Sequence, residues 1–417
     1  MRTSISTLAA RLAVTVSGTL IVAVLLSIPT PLRAQESACN APARDPIVNL
    51  DMPGRPFEPV VTSDGCWIFV TLLPRQGGDG GSVTVVHRSG GSLTLTRTVP
   101  IKGNPTGAVL THDDKLLIIA DGDYLAFLDA DRLRSGNGDS VLGYIGDGSP
   151  VGFIYANVSA DDRYLFASAE RGAAILVVDL AQARADGFQG RGGVARLDVG
   201  NAPISVTLSP DGRYLYTTSE VAIPAWNWPR SCQPENPNGR RNVPYHPQGA
   251  IIVFDVGRAV ADPAHAAVSR VAAGCSPVRL VLSPLGDVAY VSARGDNMLH
   301  AFDTQRLVSD TAHALLGKVE VGIAPVGVAV IDSGARVVVT SSNRFRGGTA
   351  DRQPLTVVDA AKLRTGARAV IGTMPAGAFP RELRETADGH TLFVTNFASQ
   401  ALEMIDLARA PIAFKQP

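Results

Sequence analysis

A repeated pattern constrains the fold of this chain more than any other feature of its sequence. Each copy has a proline, five or six alternating apolar and small residues, a tight turn and a β-rich run, and the clearest copy covers residues 203–218. The turn position recurs in steps of 48 to 55 residues, with one step of 74, at Asp64, Asp113, Asp161, Asp211, Leu285, Ser333 and Asp388. A proline stands eight residues before six of these positions, whereas in the third copy Pro150 stands eleven residues before Asp161. The spacing indicates seven copies of one structural unit.

A second strand signal follows most of the turns. It is a short apolar run that closes at Asp129, Asp179, Asp255, Asp303, Asp359 and Asp406, and its first copy closes at His87 instead. Each unit holds four short strands in about 50 residues and no convincing long helix. We therefore predict an all-β fold, a seven-bladed β-propeller with four antiparallel strands per blade. The seventh copy lacks one strand, so residues 46–51 are expected to close the ring as its outer strand.

The composition is typical of a folded chain that does not bind nucleic acid. Of the 417 residues, 45% are hydrophobic and 18% are charged, whereas a disordered chain would be richer in charge. Lys and Arg together number 38, as do Asp and Glu. Because no excess of cations is available to neutralise phosphates, we expect no nucleic-acid partner.

The N-terminal residues 1–34 have the pattern of a signal peptide. Arg2 and Arg11 precede an apolar stretch from Leu12 to Ile28. Two prolines end this stretch before Ala34. The alternative is an uncleaved anchor, since the stretch approaches the ~17–25 residues that span a bilayer. We predict cleavage near Ala34, one propeller domain over 35–417 with no further membrane span, and a periplasmic or secreted protein.

The copies also resemble a known repeat family. The stretches SPDGRYLYTTSE (209–220), SPLGDVAYVSARGDNMLHAFD (283–303) and TADGHTLFVTNFASQALEMID (386–406) are similar to the YVTN-type propeller repeat. The resemblance covers roughly residues 45–410 and implies the propeller fold. Proteins of this type include lactonase-like propellers, surface-layer proteins and the propellers of redox enzymes. The resemblance therefore leaves the function open, and it carries over no catalytic residue.

Function is expected on one face of the ring, because three loops of one class are expanded there. From the turn position to the residue that ends the third strand, four blades need 16 or 18 residues, but blades one, four and six need 23, 44 and 26. We call this face the loop rim, since its loops join the second and third strands. The opposite face, which carries the turns at Asp64 and its equivalents, is the turn rim. Loops on a rigid scaffold are where binding residues concentrate.

The loop rim supplies the candidate ligand residues. The blade-four insertion, at about 221–249, carries Trp226 and Trp228, which either form a lid or platform over the channel or serve as the core of their own loop. Arginines near the channel would bind a small anionic ligand through bidentate bonds, unless they form ion pairs between blades. The full candidate set is Arg75, Glu170, Arg171, Trp226, Trp228, Arg294, Asn343, Arg344, Arg346, Arg381 and Asn396.

Four cysteines in an exported chain predict two disulfides. Cys232 lies in the blade-four insertion and Cys275 in the link to blade five, so both belong to the loop rim. Cys39 precedes the closing strand and Cys66 follows the first turn, so both belong to the turn rim. Because the other pairings would cross the thickness of the ring, we predict Cys232–Cys275 and Cys39–Cys66.

No signature of a catalytic or cofactor site is found in the sequence. It lacks Cys-x-x-Cys-His, Gly-x-Ser-x-Gly, His-Glu-x-x-His and Walker-type motifs, and its seven histidines have no paired metal-ligand spacing. We therefore predict no cofactor and no metal, and we assign no catalytic residue. The preferred hypothesis is a monomeric binding or interaction scaffold for a small anion or a protein. The alternatives are a lactonase-like hydrolase and, third, an electron-transfer accessory propeller.

Overall fold

Seven antiparallel sheets surround a central channel, as the repeat predicts. The computed structural model describes residues 39, 41–75, 80–190, 192–232, 246–344, 350–366 and 368–414. The predicted signal peptide and Arg346 lie outside these residues. The first strands of the seven blades contact one another in a closed circle, so they form the channel wall. Among the described helices, none has the length and apolar character needed to cross a membrane.

Strands are numbered along the chain, and consecutive strands are neighbours within each blade. The first thirteen are β1 (Ile47–Asp51), which joins blade seven, then β2 (Arg55–Val61), β3 (Trp67–Leu73), β4 (Gly81–Ser89) and β5 (Ser92–Ile101) of blade one, β6 (Pro105–Leu110), β7 (Leu116–Asp121), β8 (Tyr124–Asp129) and β9 (Val141–Gly146) of blade two, and β10 (Phe153–Val158), β11 (Tyr164–Ala169), β12 (Ala174–Asp179) and β13 (Gly193–Asp198) of blade three.

The remaining blades follow the same order. Their strands are β14 (Asn201–Leu208), β15 (Tyr214–Val221), β16 (Gln248–Asp255) and β17 (Ala267–Cys275) of blade four, β18 (Pro277–Leu282), β19 (Val288–Ala293), β20 (Met298–Asp303) and β21 (Leu315–Glu320) of blade five, β22 (Pro325–Ile331), β23 (Arg336–Ser341), β24 (Leu355–Asp359) and β25 (Val370–Met374) of blade six, β26 (Pro380–Glu385), β27 (Thr391–Asn396) and β28 (Ala401–Asp406) of blade seven, and β29 (Ala413–Phe414).

The ring closes where the sequence places the closure. Strand β1 pairs antiparallel with β28, from Ile47 opposite Ile405 to Asp51 opposite Ala401. One feature was not anticipated: β29 pairs with β25 and gives blade six a fifth strand. Both ends of the propeller chain are therefore held by strand pairing.

In five blades the aspartate that ends the third strand also caps a short helix. The Asp129 carboxylate accepts a hydrogen bond from the backbone N–H of Arg132 at 2.9 Å, which is the capping contact of a helix N-terminus. Blade one has His87 instead, and its β4 turns directly into β5 through Gly90 and Gly91, whose positive φ angles suit a two-residue hairpin. The described α-helices are α1 (Ala130–Ser135), α2 (Leu180–Ala185), α3 (Val256–Ala261), α4 (Thr304–Ser309) and α5 (Ala360–Arg364).

The hydrophobic core lies between neighbouring blades. Between blades two and three, for example, Phe127, Phe153, Leu165 and Leu176 belong to one buried cluster. The second strands are buried on both faces, as in β7, whereas the outer strand β5 alternates between exposed and half-buried residues. Each blade therefore depends on both neighbours for the burial of its apolar faces.

Both predicted disulfides are present. Cys39 and Cys66 are joined with their Cα atoms 5.1 Å apart, and Cys232 and Cys275 are joined with theirs 5.4 Å apart. Cys275 is the last residue of β17 and lies opposite Gln248, at the loop rim. The first disulfide ties the segment before β1 to blade one, and the second ties the blade-four insertion to the outer strand of its own blade.

Hydroxyl groups of the second strands join neighbouring blades around the channel. The Thr395 hydroxyl accepts from the Glu382 backbone N–H (3.1 Å) and donates to the Phe57 carbonyl of blade one (2.8 Å). Blade two has Ala120 at this position, and there Thr106 donates to the Ala120 carbonyl (2.9 Å). The equivalent hydroxyls in the other blades are those of Thr71, Ser168, Thr218, Ser292 and Thr340.

Thr395→Val is expected to lower the free energy of unfolding by about 1–3 kcal/mol, because the Phe57 carbonyl and the Glu382 N–H would be buried without a partner. Chemical denaturation measures this loss. Thr395→Ser keeps the hydroxyl and is the matched control, with a smaller expected loss. Equal losses for the two variants would show that packing of the methyl group, and not the bond between blades, is responsible.

Candidate ligand site

The mouth of the channel on the loop rim combines arginines with phenylalanines. Arg381 is the second residue of β26, the inner strand of blade seven, and its guanidinium carbon lies 3.7 Å from the centroid of the Phe57 ring. The rings of Phe397 and Phe379 lie 5.5 and 5.8 Å from the same carbon. Arg344, from the expanded loop of blade six, lies 5.3 Å from the Phe379 centroid. The rings attract both cations and exclude water from one side of each.

Positive charge at this mouth exceeds the negative charge that balances it. Glu220 is 6% exposed and pairs with Arg294, and burial raises the pKa of the Glu220 carboxyl although Arg294 opposes the rise. Burial, followed by repulsion from Arg294 and Arg381, lowers the pKa of Arg344 to about 9. The Arg344 guanidinium remains charged at neutral pH. The lowered pKa therefore indicates that a positive charge at the mouth is energetically unfavourable.

Arg381 is also a cation with a buried donor that is unsatisfied within the described structure. Burial is the main cause that lowers the pKa of its guanidinium. Its Nε is buried and has no hydrogen-bond partner among the described residues. A buried donor without an acceptor is unfavourable, and an anion at the mouth would relieve both the charge and the missing bond.

Below the mouth, side chains from three blades close the channel. Arg279 of blade five donates to both carboxylate oxygens of Glu382 in blade seven, at 2.9 Å from Nε and 2.5 Å from Nη2. The same guanidinium donates to the Tyr155 hydroxyl of blade three and lies 3.6 Å from the centroid of the Tyr155 ring. All three residues are buried. We call this group the channel plug, and it separates the loop-rim mouth from the rest of the channel.

Glu58 of blade one lies at the same level of the channel as the plug, because its backbone N–H makes the same hydrogen bond to a second-strand hydroxyl as those of Glu382 and Arg279. Its Oε1 accepts from Nη2 of Arg384 at 2.8 Å. Burial raises the pKa of Glu58 to about 7, and the nearby Glu382 adds to the rise, whereas Arg384 opposes it. The folded protein therefore holds a proton on Glu58 more tightly than the unfolded chain does.

The Glu58→Gln variant gives this shift a measurable consequence. Because the folded pKa is raised above the usual 4.5, ionisation of Glu58 costs stability as pH rises from about 4.5 through about 7. The free energy of unfolding of Glu58→Gln minus that of the wild type is expected to increase by about 3 kcal/mol between pH 4 and pH 8. Urea denaturation at several pH values measures this difference, and a pH-independent difference would contradict the shift.

The structure brings three of the candidate arginines together, and two other candidates lie near them. Arg294, Arg344 and Arg381 meet at the mouth. Glu170 lies close enough to Glu220 to raise its pKa, and Asn343 is buried next to Arg344. Arg346 lies outside the described residues.

The remaining candidates make contacts elsewhere. Arg75 is exposed and donates to the Pro53 carbonyl (3.0 Å), and Arg171 is 61% exposed and pairs with Asp123 at 2.5 Å. Asn396 is buried, where it donates to Glu403 (2.6 Å). These contacts are ion pairs and hydrogen bonds within the scaffold, which the sequence analysis gave as the alternative to ligand binding.

The two tryptophans contact each other at the outer part of blade four. Their ring centroids are 5.1 Å apart, and the Arg270 guanidinium of β17 lies 5.7 Å from the Trp226 ring. Both are half-buried. Both rings also pack against a buried cluster that includes Val199 and Leu215 of the blades. Residues 233–245 of the insertion lie outside the described part of the chain.

Sequence reasoning missed the acidic and aromatic members of the channel. Glu58, Arg279 and Glu382 each stand two residues after a repeat proline, and Tyr155 occupies the same level in blade three, 13 residues before the strand-two hydroxyl. Their shared register is a signal that could have placed them at one level of the channel.

The chain is thus a seven-bladed β-propeller with a polar, plugged channel and a cationic, aromatic mouth. No protein-family model matches the sequence, and no curated protein matches it either. One solved structure with a similar fold is Kuenenia stuttgartiensis hydrazine synthase, with a TM-score of 0.60 and 17% identity over 87% of this chain and 97% of that chain. At this identity the similarity shows the fold alone.

Proposed function

We propose that this chain is an exported binding propeller that takes a small anionic ligand at the loop-rim mouth of its channel. The observation that carries the proposal is Arg381, a cation held among three phenylalanine rings with its Nε unpartnered in the described structure. Arg344 adds a second uncompensated cation against the same Phe379 ring. Guanidinium groups of this kind bind carboxylates through paired, charge-assisted hydrogen bonds.

The surroundings of the two arginines favour a carboxylate with an apolar body. Phe379 and Phe397 offer ring faces beside the cations, and Glu220 and Glu170 restrict where further negative charge can sit. Benzoate has the required features, a planar carboxylate and an aromatic ring, and it serves as the probe. The neutral analogue benzyl alcohol keeps the ring and lacks the charge.

Export and family membership belong to the same proposal. Two disulfides are typical of proteins that fold in an oxidising compartment, which supports the signal peptide predicted at 1–34. We also propose that residues 35–417 form a single domain. The repeat stretches support kinship with the YVTN-type propellers. The disulfides and the predicted signal peptide together support a periplasmic or secreted location.

Calorimetric titration with benzoate tests the proposed site. The Arg344→Ala, Arg381→Ala double variant is expected to bind at least 100-fold more weakly than the wild type, because each charge-assisted hydrogen bond contributes about 1.5–3 kcal/mol. The matched control is Arg75→Ala with Arg171→Ala, which removes two exposed arginines and should leave affinity within about twofold.

Benzyl alcohol should bind the wild type far more weakly than benzoate. Thermal melting of each variant shows whether the fold is kept. Normal binding by the double variant, or an equal loss in the control, contradicts the assignment of the site.

A further inference from the structure

The other end of the channel is a separate cavity. It has a volume of about 580 Å³, within the range of small-molecule sites, and it lies between the channel plug and the turn rim. Ser63 and His112, from the turns after the inner strands of blades one and two, line its outer part. Tyr155, Arg279 and Glu382 line its inner end. We call this cavity the vestibule, and none of the arginines at the loop-rim mouth lines it.

One carboxylate oxygen in the vestibule has no partner within the described part of the chain. Glu58 is 4% exposed, and its Oε1 accepts from Arg384, but its Oε2 is buried without a hydrogen-bond partner among the described residues. Glu382 differs, because both of its oxygens accept from Arg279. Because Glu58 Oε2 is an unsatisfied acceptor at the inner end of the cavity, it favours a ligand with a hydrogen-bond donor.

The charges and walls of the vestibule indicate what that donor is. Carboxylates prevail among its lining groups, with Glu58, Glu382, Glu385 and Asp114 against Arg279 and Arg384. The loop-rim mouth has the opposite excess. The wall between these groups is apolar and consists largely of Val60, Val109, Val281, Val328 and Val330.

We propose that the vestibule is a second ligand site, which binds a small organic cation with its ammonium on Glu58 Oε2 and its apolar part against the valines. An ammonium supplies three donors and a positive charge, and a short alkyl chain fits the walls. The site is independent of the anion site, because the plug lies between them.

The probe is n-butylammonium, titrated by calorimetry against 1-butanol, which has the same alkyl chain without the charge. Butylammonium should bind the wild type and butanol should not. Glu58→Gln is expected to weaken binding at least tenfold, whereas Glu320→Gln, which alters an exposed glutamate of β21, should leave it unchanged. Equal binding of the alcohol, an unaffected Glu58→Gln variant or no binding of butylammonium overturns the proposal.

Arg384→Ala provides a test in the opposite direction. Arg384 competes for the same carboxylate, and its side chain is 47% exposed, so its removal should leave the fold intact. At pH 9, where Glu58 should stay ionised although the loss of Arg384 raises its pKa further, butylammonium should bind at least threefold more tightly. The pH dependence is a further test. Affinity of the wild type for butylammonium should fall at least tenfold from pH 8 to pH 5, because Glu58 gains its proton over this range. The other titratable groups that face Glu58 are Glu382, Arg384, Arg279 and Tyr155. Unchanged or weaker binding by Arg384→Ala contradicts the site.

Discussion

Glu382→Gln is expected to lower the free energy of unfolding by about 3–5 kcal/mol, the usual cost of breaking a buried ion pair from one side. Arg279 and Glu382 are 7% and 6% exposed in their side chains, and two hydrogen bonds join them. The substitution keeps the size of the side chain but leaves the Arg279 cation without a full counter-charge. Because the pair joins blades five and seven across the channel, the loss should appear as global unfolding in urea.

Two further variants identify the cause of this loss. Arg279→Met combined with Glu382→Gln removes the stranded cation, so it should recover at least 2 kcal/mol of the loss. Arg171→Ala removes an exposed pair, with side chains 61% and 40% exposed, and should cost less than about 1 kcal/mol. If the single Glu382 variant were no less stable than Arg171→Ala, the plug would not stabilise the ring.

Disrupting the closing strand is the second large effect. Val48→Pro with Leu50→Pro should lower the free energy of unfolding by about 4–6 kcal/mol, because two ladder bonds and part of the apolar burial of β1 would be lost. The register shows which positions bond: Met52 N–H donates to the Gln400 carbonyl, so Leu50 and Val48 also lie in hydrogen-bonded pairs.

Asn49→Pro is the matched control for the closing strand. Asn49 lies between the bonded positions, and its N–H points away from β28, so a proline there should cost less than about 1 kcal/mol. The double variant should also expose the β28 edge and associate during size-exclusion chromatography. Equal stability of the double variant and Asn49→Pro would contradict closure by β1.

The repeat register explains why so much of the fold was predictable. Prolines and turn residues at constant spacing located each inner strand, and the missing strand of the seventh copy identified residues 46–51 as its partner. The disulfides followed because each cysteine could be assigned to one rim. The pairing of β29 was not predictable, because two residues carry no periodic signal.

The candidate site was harder to predict from the sequence than the fold, because its contacts cross the channel. Arg279 and Glu382 are 103 residues apart, and their pairing depends on the diameter of the ring and on the rotamers of both side chains. Sequence could place Arg344 and Arg381 on one rim, but not the phenylalanine rings between them. Arg171 looked equivalent to these arginines, yet it pairs with Asp123 on the surface.

Anomalous diffraction from a crystal soaked with p-bromobenzoate tests the proposed anion site most directly. The bromine gives the position and orientation of the ring, and the electron density gives the carboxylate. We expect one carboxylate at the loop-rim mouth, with its oxygens about 3 Å from the guanidinium nitrogens of Arg344 or Arg381 and its ring beside Phe379. Bromine found only in the vestibule or elsewhere on the surface, with both arginines untouched, would contradict the account.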